Sequence, residues 1–196
     1  KKHIENAFKF GLSPVIAINH FATDSQEEID FVKTECEKLG VKAVLADEFV
    51  HGGEGMKDLA NAVLQSIDEG KNNFRRLYDL NDSVENKIET IAKEVYGADA
   101  AVFSQKAKNQ LKSIYDLGLD KLPICMAKTQ KSLSDDEKKI GRPTGFKVTV
   151  REFEFAAGAG FIIPILGDMM RMPGLPSIPA AEGMDIDKDG NIVGLS

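Results

Sequence analysis

Two short apolar runs constrain this chain more than anything else in it. PVIAIN (residues 14–19) and VKAVLAD (residues 41–47) are continuous rather than alternating, the pattern of a strand covered on both faces within a parallel sheet. Between them, Ile29, Val32, Cys36 and Leu39 repeat at helical spacing over residues 25–39, and Gly40 stops the helix. HGGEG (residues 51–55) then opens a further helix running to about Ile67. A strand-helix-strand-helix order requires parallel pairing through a right-handed crossover, so an α/β fold is expected, a parallel sheet with flanking helices. At the start, Ile4, Ala7 and Phe8 followed by Gly11 read as the last turns of an amphipathic helix, as in a piece of a longer chain.

Downstream, polar residues 68–82 give way to a helix from Ser83, with Val84, Ile88, Ile91 and Val95 on one face and Gly97 at its end. Another helix is expected over residues 104–117. LPICMAK (residues 122–128) is a third candidate for a buried strand, and the polar, breaker-rich TQKSLSDDEKKIGRPTG after it reads as a surface loop. FKVTVREFEF (residues 146–155) alternates, with Val148, Val150 and Glu152 on one side and Lys147, Thr149, Arg151 and Phe153 on the other, which predicts a strand with one solvated face. The C-terminal segment is β-rich and proline-rich. Its closing DIDKDGNIVGLS carries Asp185, Asp187, Asp189 and Gly190 at calcium-loop spacing, but Ser196 stands where a bidentate Glu is required, and Pro173, Pro176 and Pro179 occupy the place of an entering helix. A β-turn at Asp189, Gly190 and Asn191, between short strands around Ile186 and Ile192, accounts for it more simply.

Charge and composition narrow the function classes. A net charge of −6 without any long Lys/Arg run argues against nucleic acid or an anionic membrane as a partner. Cys36 and Cys125 lack metal-type spacing and read as structural thiols in a reducing, cytoplasmic setting. His3, His20 and His51 form no metal-ligand pattern. No transmembrane stretch or signal peptide is recognisable. INHFATD has His20 and Ala22 where a guanine-reading motif needs Lys and Asp. GAGAGF precedes strand-like residues rather than a helix, and Met169, Met170 and Met172 read as adaptable packing. The 196 residues contain no GxxxxGK[ST] and no nucleophile-histidine arrangement.

Candidate chemistry sits after the first two strands, because loops and helix N-termini converge beyond the carboxyl ends of parallel strands. Phe21 comes two residues after Asn19, and Phe49 two residues after Asp47. Two rings leaving one sheet edge hold a flat heteroaromatic ligand if they stand about 7 Å apart, twice the contact distance. Read from the residues alone, packing of the loops explains them at least as well. HGGEG joins a strand to a helix, so the backbone at Gly52, Gly53 and Gly55 is a candidate anion-binding loop; it serves equally as a tight turn, and Glu54 would repel an anion.

Taken together, KHIEN, the FG-PV-AIN-F-TD stretch, HGGEG, LPICMAKTQ, GRPTGF, GAGF, MPGLP and the terminal IVGL resemble, in order and across essentially the whole chain, the C-terminal portion of formate–tetrahydrofolate ligase, also called formyltetrahydrofolate synthetase. The resemblance implies a reaction in which formate attacks the γ-phosphate of MgATP. The resulting formyl phosphate is then attacked by N10 of tetrahydrofolate to give 10-formyltetrahydrofolate. It implies that the phosphate-binding loop lies N-terminal to this region, so that the isolated chain lacks ligase activity. It places the end of a nucleotide-binding domain at residues 1–20, an α/β folate-clamp domain at 21–140 and a C-terminal strand and tail segment at 141–196. It also implies a pterin ring held between two aromatic residues, normally a Phe in the N-x-F loop and a Trp before GGEG. Those positions are Phe21 and Phe49, the latter with a smaller stacking face than Trp. Ala22 stands where many members have Pro, and Leu45 matches a position whose backbone lies near the pterin. A monovalent cation, a homo-oligomer and a cytoplasmic location follow from the resemblance too. The alternative is a non-catalytic pterin-binding or scaffold module derived from the enzyme.

Overall fold

In the computed structural model, residues 1–21, 23–167, 178–190 and 192–194 are described. Ala22, the methionine cluster at 169–172, Pro173, Pro176, Asn191 and Ser196 lie outside them. Helix α1 (Lys2–Lys9) leads into strand β1 (Val15–Asn19), and helix α2 (Gln26–Lys38) crosses over to strand β2 (Lys42–Ala46). α2 begins with a capping box: Ser25 Oγ accepts from the Glu28 backbone N–H, and the Glu28 carboxylate accepts from the Ser25 N–H at 3.0 Å. β1 and β2 pair in parallel, with Val15 opposite Lys42 and Asn19 opposite Ala46. A one-turn helix α3 (Glu48–His51), a 3-10 turn (Gly52–Met56) and helix α4 (Lys57–Asp68) complete this first layer.

The expectation that both strands are covered on both faces does not hold. Among the described residues this sheet has two strands, and most of their residues are half-buried or exposed. The fully sequestered part of this layer is small, with Ile4, Cys36 and Val41 packed against Ile16, Leu39 and Ala43. Val32, placed on the buried face of α2 by its spacing, is 37% exposed, since the helix buries Ile29 and Cys36. Nor does the helix after β2 start in HGGEG, because the glycines form the 3-10 turn ahead of it.

The second half has its own core. Helix α5 (Val84–Ile91), continued by a π-helical turn (Ala92–Tyr96), precedes strand β3 (Ala100–Phe103), helix α6 (Gln105–Asp116) and strands β4 (Lys147–Ala156) and β5 (Phe161–Leu166). The sheet order is β3-β4-β5, parallel then antiparallel. Val84, Ile88, Ile114, Val148, Val150, Ile162 and Leu166 are wholly buried in it, each contributing about 1.5–3 kcal/mol of transfer free energy. β3 has no counterpart among the expected strands: its four residues sit between two helices, too short for periodicity to show.

Three further expectations are corrected. Alternation along β4 breaks at a bulge, where the register shifts between Val150 and Glu152. The extra residue brings Phe153, not Glu152, onto the buried face with Val148 and Val150. Residues 122–128 run parallel to β5 but make only isolated bridges, Ile124 with Ile162 and Ala127 with Ile165. Cys125 and Ala127 donate to the Ile162 and Pro164 carbonyls at 2.9 Å, and Pro164 lacks the N–H that would continue the ladder to Cys125. The loop after them is not all surface, since Thr129, Ser132 and Ser134 are buried, and the Ser134 hydroxyl accepts from the Asp136 N–H at 3.0 Å. Of the two thiols, Cys36 is buried as expected of a structural residue, whereas Cys125 is exposed.

The turn expected at Asp189, Gly190 and Asn191 includes one residue outside those described, Asn191. Strands β6 (Asp185–Ile186) and β7 (Ile192–Val193) pair antiparallel, and the Gly190 N–H donates to the Asp187 carbonyl at 3.1 Å. Among the described residues, no helix is long and apolar enough to cross a membrane.

Lys87 on α5 is fully buried in the second core, and its ammonium donates to the carbonyls of Asp120 at 2.7 Å and Leu122 at 3.2 Å. Burial, as the leading cause, holds its pKa below the ordinary lysine value. Lys87→Ala leaves two carbonyls unpaired and a cavity, and we expect a loss of about 2–4 kcal/mol in urea denaturation.

Candidate functional site: the carboxyl edge of the parallel pair

Because β1 and β2 are in register, their chains leave the sheet side by side. The His20 N–H donates to the Ala46 carbonyl at 3.0 Å, extending the pairing one residue past β1. Phe21 follows in a tight turn, its N–H donating to Asp24 Oδ2 at 2.9 Å and its carbonyl accepting from the Asp24 N–H at 2.9 Å. Ala22, next in sequence, is outside the described residues. On the other strand, Asp47 ends the extended backbone and the chain coils once through α3, which buries none of its residues. Phe49 on that turn is 91% exposed and Phe21 is 58% exposed. Neither ring is absorbed into packing, and neither belongs to the stacked ring pairs Phe10–Phe74 and Phe103–Phe153. Leu45, opposite Ile18 in β2, is half-buried beneath this edge.

The glycines after α3 have specific conformational roles. Gly52 adopts φ +55° and ψ −139°, a backbone that side chains resist. Gly55 returns the chain so closely that a Cβ there would lie 2.3 Å from the Asp47 carbonyl oxygen. Gly53 has open space around it. Glu54, the residue expected to repel an anion, pairs with Lys57 at 2.6 Å.

Sequence reasoning missed the polar group at the centre of this edge. Asp47 Oδ2 accepts from His51 Nδ1 at 2.8 Å, and Asp47 Oδ1 faces His20 Nδ1 at 3.4 Å. His20 Nδ1 and Asp47 Oδ1 are shielded from solvent and have no other partner. The hydrogen bond from His51, ahead of the contact with His20, holds the Asp47 carboxyl below its ordinary pKa despite partial desolvation. The signal was present in the i,i+4 spacing of Asp47 and His51 and in the strand register that sets residue 20 beside residue 47. Among the described residues, no group of three or more His, Cys, Asp or Glu is arranged to hold a metal ion.

The described surface holds other hollows. A cavity of about 430 Å³ is lined by aromatic and aliphatic side chains including Phe10, Phe74, Tyr78, Tyr96 and Phe161, none of them from the strand edge. Burial pushes the Tyr96 hydroxyl up to about 12. A second of about 390 Å³ lies at the opposite end of the pair, against Val15, Lys42 and Gln65.

The sequence model of the family described as formate–tetrahydrofolate ligase matches residues 1–196. The chain belongs to the formate–tetrahydrofolate ligase family. Membership places it in one-carbon metabolism, among ligases whose small-molecule substrates are formate, tetrahydrofolate and ATP.

Gly55→Ala tests the local architecture. The added methyl meets backbone rather than a movable side chain, so we expect roughly 1–3 kcal/mol of destabilisation in thermal or urea unfolding, whereas Gly53→Ala, with open space around it, changes stability far less.

Proposed function

We propose that this chain supplies the tetrahydrofolate clamp of a formate–tetrahydrofolate ligase. The pterin stacks between Phe21 and Phe49, with Ala22 and the backbone of Leu45 alongside. The observation that carries the reading is the exposure of two aromatic rings on adjacent loops at the carboxyl edge of a parallel pair, in a chain of this family. Exposed apolar rings at a strand edge mark a place where a ligand is covered on binding. The glycine loop of Gly52, Gly53 and Gly55, ahead of α4, is the anion-receiving element of this reading.

The chemistry proposed for the whole ligase proceeds in two steps. A formate oxygen attacks the γ-phosphorus of MgATP, releasing ADP and leaving formyl phosphate. N10 of tetrahydrofolate then attacks the formyl carbon; the C–O bond to phosphate breaks, inorganic phosphate departs, and the N10 proton is lost to solvent or a base. Tight stacking fixes the pterin and so aims N10, a contribution of proximity and orientation. Phosphoryl transfer needs a phosphate-cradling loop, and no GxxxxGK[ST] occurs in these 196 residues. In our reading the nucleotide step depends on residues outside this sequence, and the working enzyme is a cytoplasmic homo-oligomer.

Calorimetric titration of the chain with tetrahydrofolate, under anaerobic conditions, tests the clamp. We expect saturable binding that weakens roughly tenfold or more in both Phe21→Ala and Phe49→Ala, the scale of losing one aromatic stacking partner. Binding unaffected by either substitution contradicts it. The purified chain given ATP, magnesium and formate is expected to yield no formyl product trappable by hydroxylamine; formation of formyl hydroxamate would refute the division of labour.

A further inference from the structure

Both clamp rings hang from loops with little packing of their own. α3 buries no residue, and one turn of helix is far too short to be stable alone. The Phe21 turn is closed mainly by Asp24. What the two loops share is one carboxylate. His20 immediately precedes Phe21, and His51 closes the turn that carries Phe49. Asp47 lies between them, bonded to His51 Nδ1 at 2.8 Å through one oxygen and facing His20 Nδ1 at 3.4 Å through the other. The two facing atoms are shielded from water and neither makes a hydrogen bond, which leaves the 3.4 Å approach as the polar contact that links them.

We infer that Asp47 is a positioning residue of the pterin site: its carboxylate braces the His20 loop against the His51 turn and thereby sets the separation of the Phe21 and Phe49 rings. The inference rests on the folate-clamp reading above. A stacked ring is gripped only when both faces are near contact distance, and an ångström of excess separation forfeits much of the dispersion attraction. The other ion pair of this loop, Glu54 with Lys57, joins neighbours on one side and cannot hold the two loops together. Asp47→Asn keeps the size of the side chain but removes the charge and one of the two acceptor oxygens, so it can accept from one histidine N–H at most.

The test is tetrahydrofolate binding by calorimetry, together with the induced circular dichroism of the bound pterin, which reports the asymmetry of its surroundings rather than the stability of the fold. Wild type, Asp47→Asn, His51→Gln and the double variant are compared, with far-UV circular dichroism checking that each is folded. The expected result is binding about tenfold weaker in Asp47→Asn, the scale of one lost charge-assisted hydrogen bond. The pterin signal should change, and the effects of the two substitutions should be non-additive. Wild-type affinity and an unchanged pterin signal in folded Asp47→Asn overturn the inference. If Asp47→Asn does not fold, His51→Gln, altered at a side chain 63% exposed, is read by the same criteria. Loss of binding in Phe21→Ala and Phe49→Ala alongside unchanged Asp47→Asn refutes the brace alone. No binding by wild type, or no effect of the phenylalanine substitutions, refutes the clamp and the brace with it.

Discussion

In-register parallel pairing of β1 with β2 is the constraint on which the site depends. With Asn19 opposite Ala46, the residues that follow, His20 and Asp47, emerge as neighbours; Phe21 comes next after His20, and Phe49 two residues after Asp47. A slip of one residue would turn every side chain of one strand to the other face and separate His20 from Asp47. Parallel pairing also requires a crossover, and α2 supplies it, so both strands run in one direction and end at one edge. An antiparallel hairpin from the same two runs would have placed the two phenylalanines at opposite ends.

The second half of the chain is the better-packed half. Its core closes around wholly buried residues of α5, α6, β4 and β5, while the two-stranded layer remains half-exposed. Polar contacts of α1 join the two. The Arg142 guanidinium pairs with both carboxylate oxygens of Glu5 at 2.6 and 2.8 Å, Asn6 donates to the Val95 carbonyl at 3.0 Å, and Lys2 donates to the Glu94 carbonyl at 2.8 Å. A firm core beside lightly packed loops is the usual division between scaffold and binding site. It also explains why a polar brace matters at an edge where burial contributes so little.

The sequence made the first layer legible because its signals are local. Apolar runs and the glycine at Gly40 mark its strands and crossover helix close to where they lie. Less legible were features set by tertiary contact. β3 is a strand because β4 lies beside it, and Phe153 is buried because a bulge shifts the register by one residue, which alternation alone cannot show. Residues 122–128 looked like a full strand, yet the missing N–H of Pro164 interrupts their pairing with β5. At the site, Phe21 and Phe49 could be placed at one edge from the strand order alone, and the family resemblance gave them a ligand. The shared Asp47 carboxylate required the register itself, since His20 and Asp47 are distant in sequence.

The most direct test of the account is nuclear magnetic resonance of the chain with ring-labelled phenylalanine, recorded as tetrahydrofolate is added. The pterin ring current should shift the Phe21 and Phe49 resonances, assigned by substitution, and leave Phe10, Phe74 and Phe161 around the 430 Å³ cavity unmoved. Shifts confined to Phe10, Phe74 and Phe161, with Phe21 and Phe49 silent at saturation, would place the ligand in that cavity and contradict the claim that the parallel pair builds the clamp.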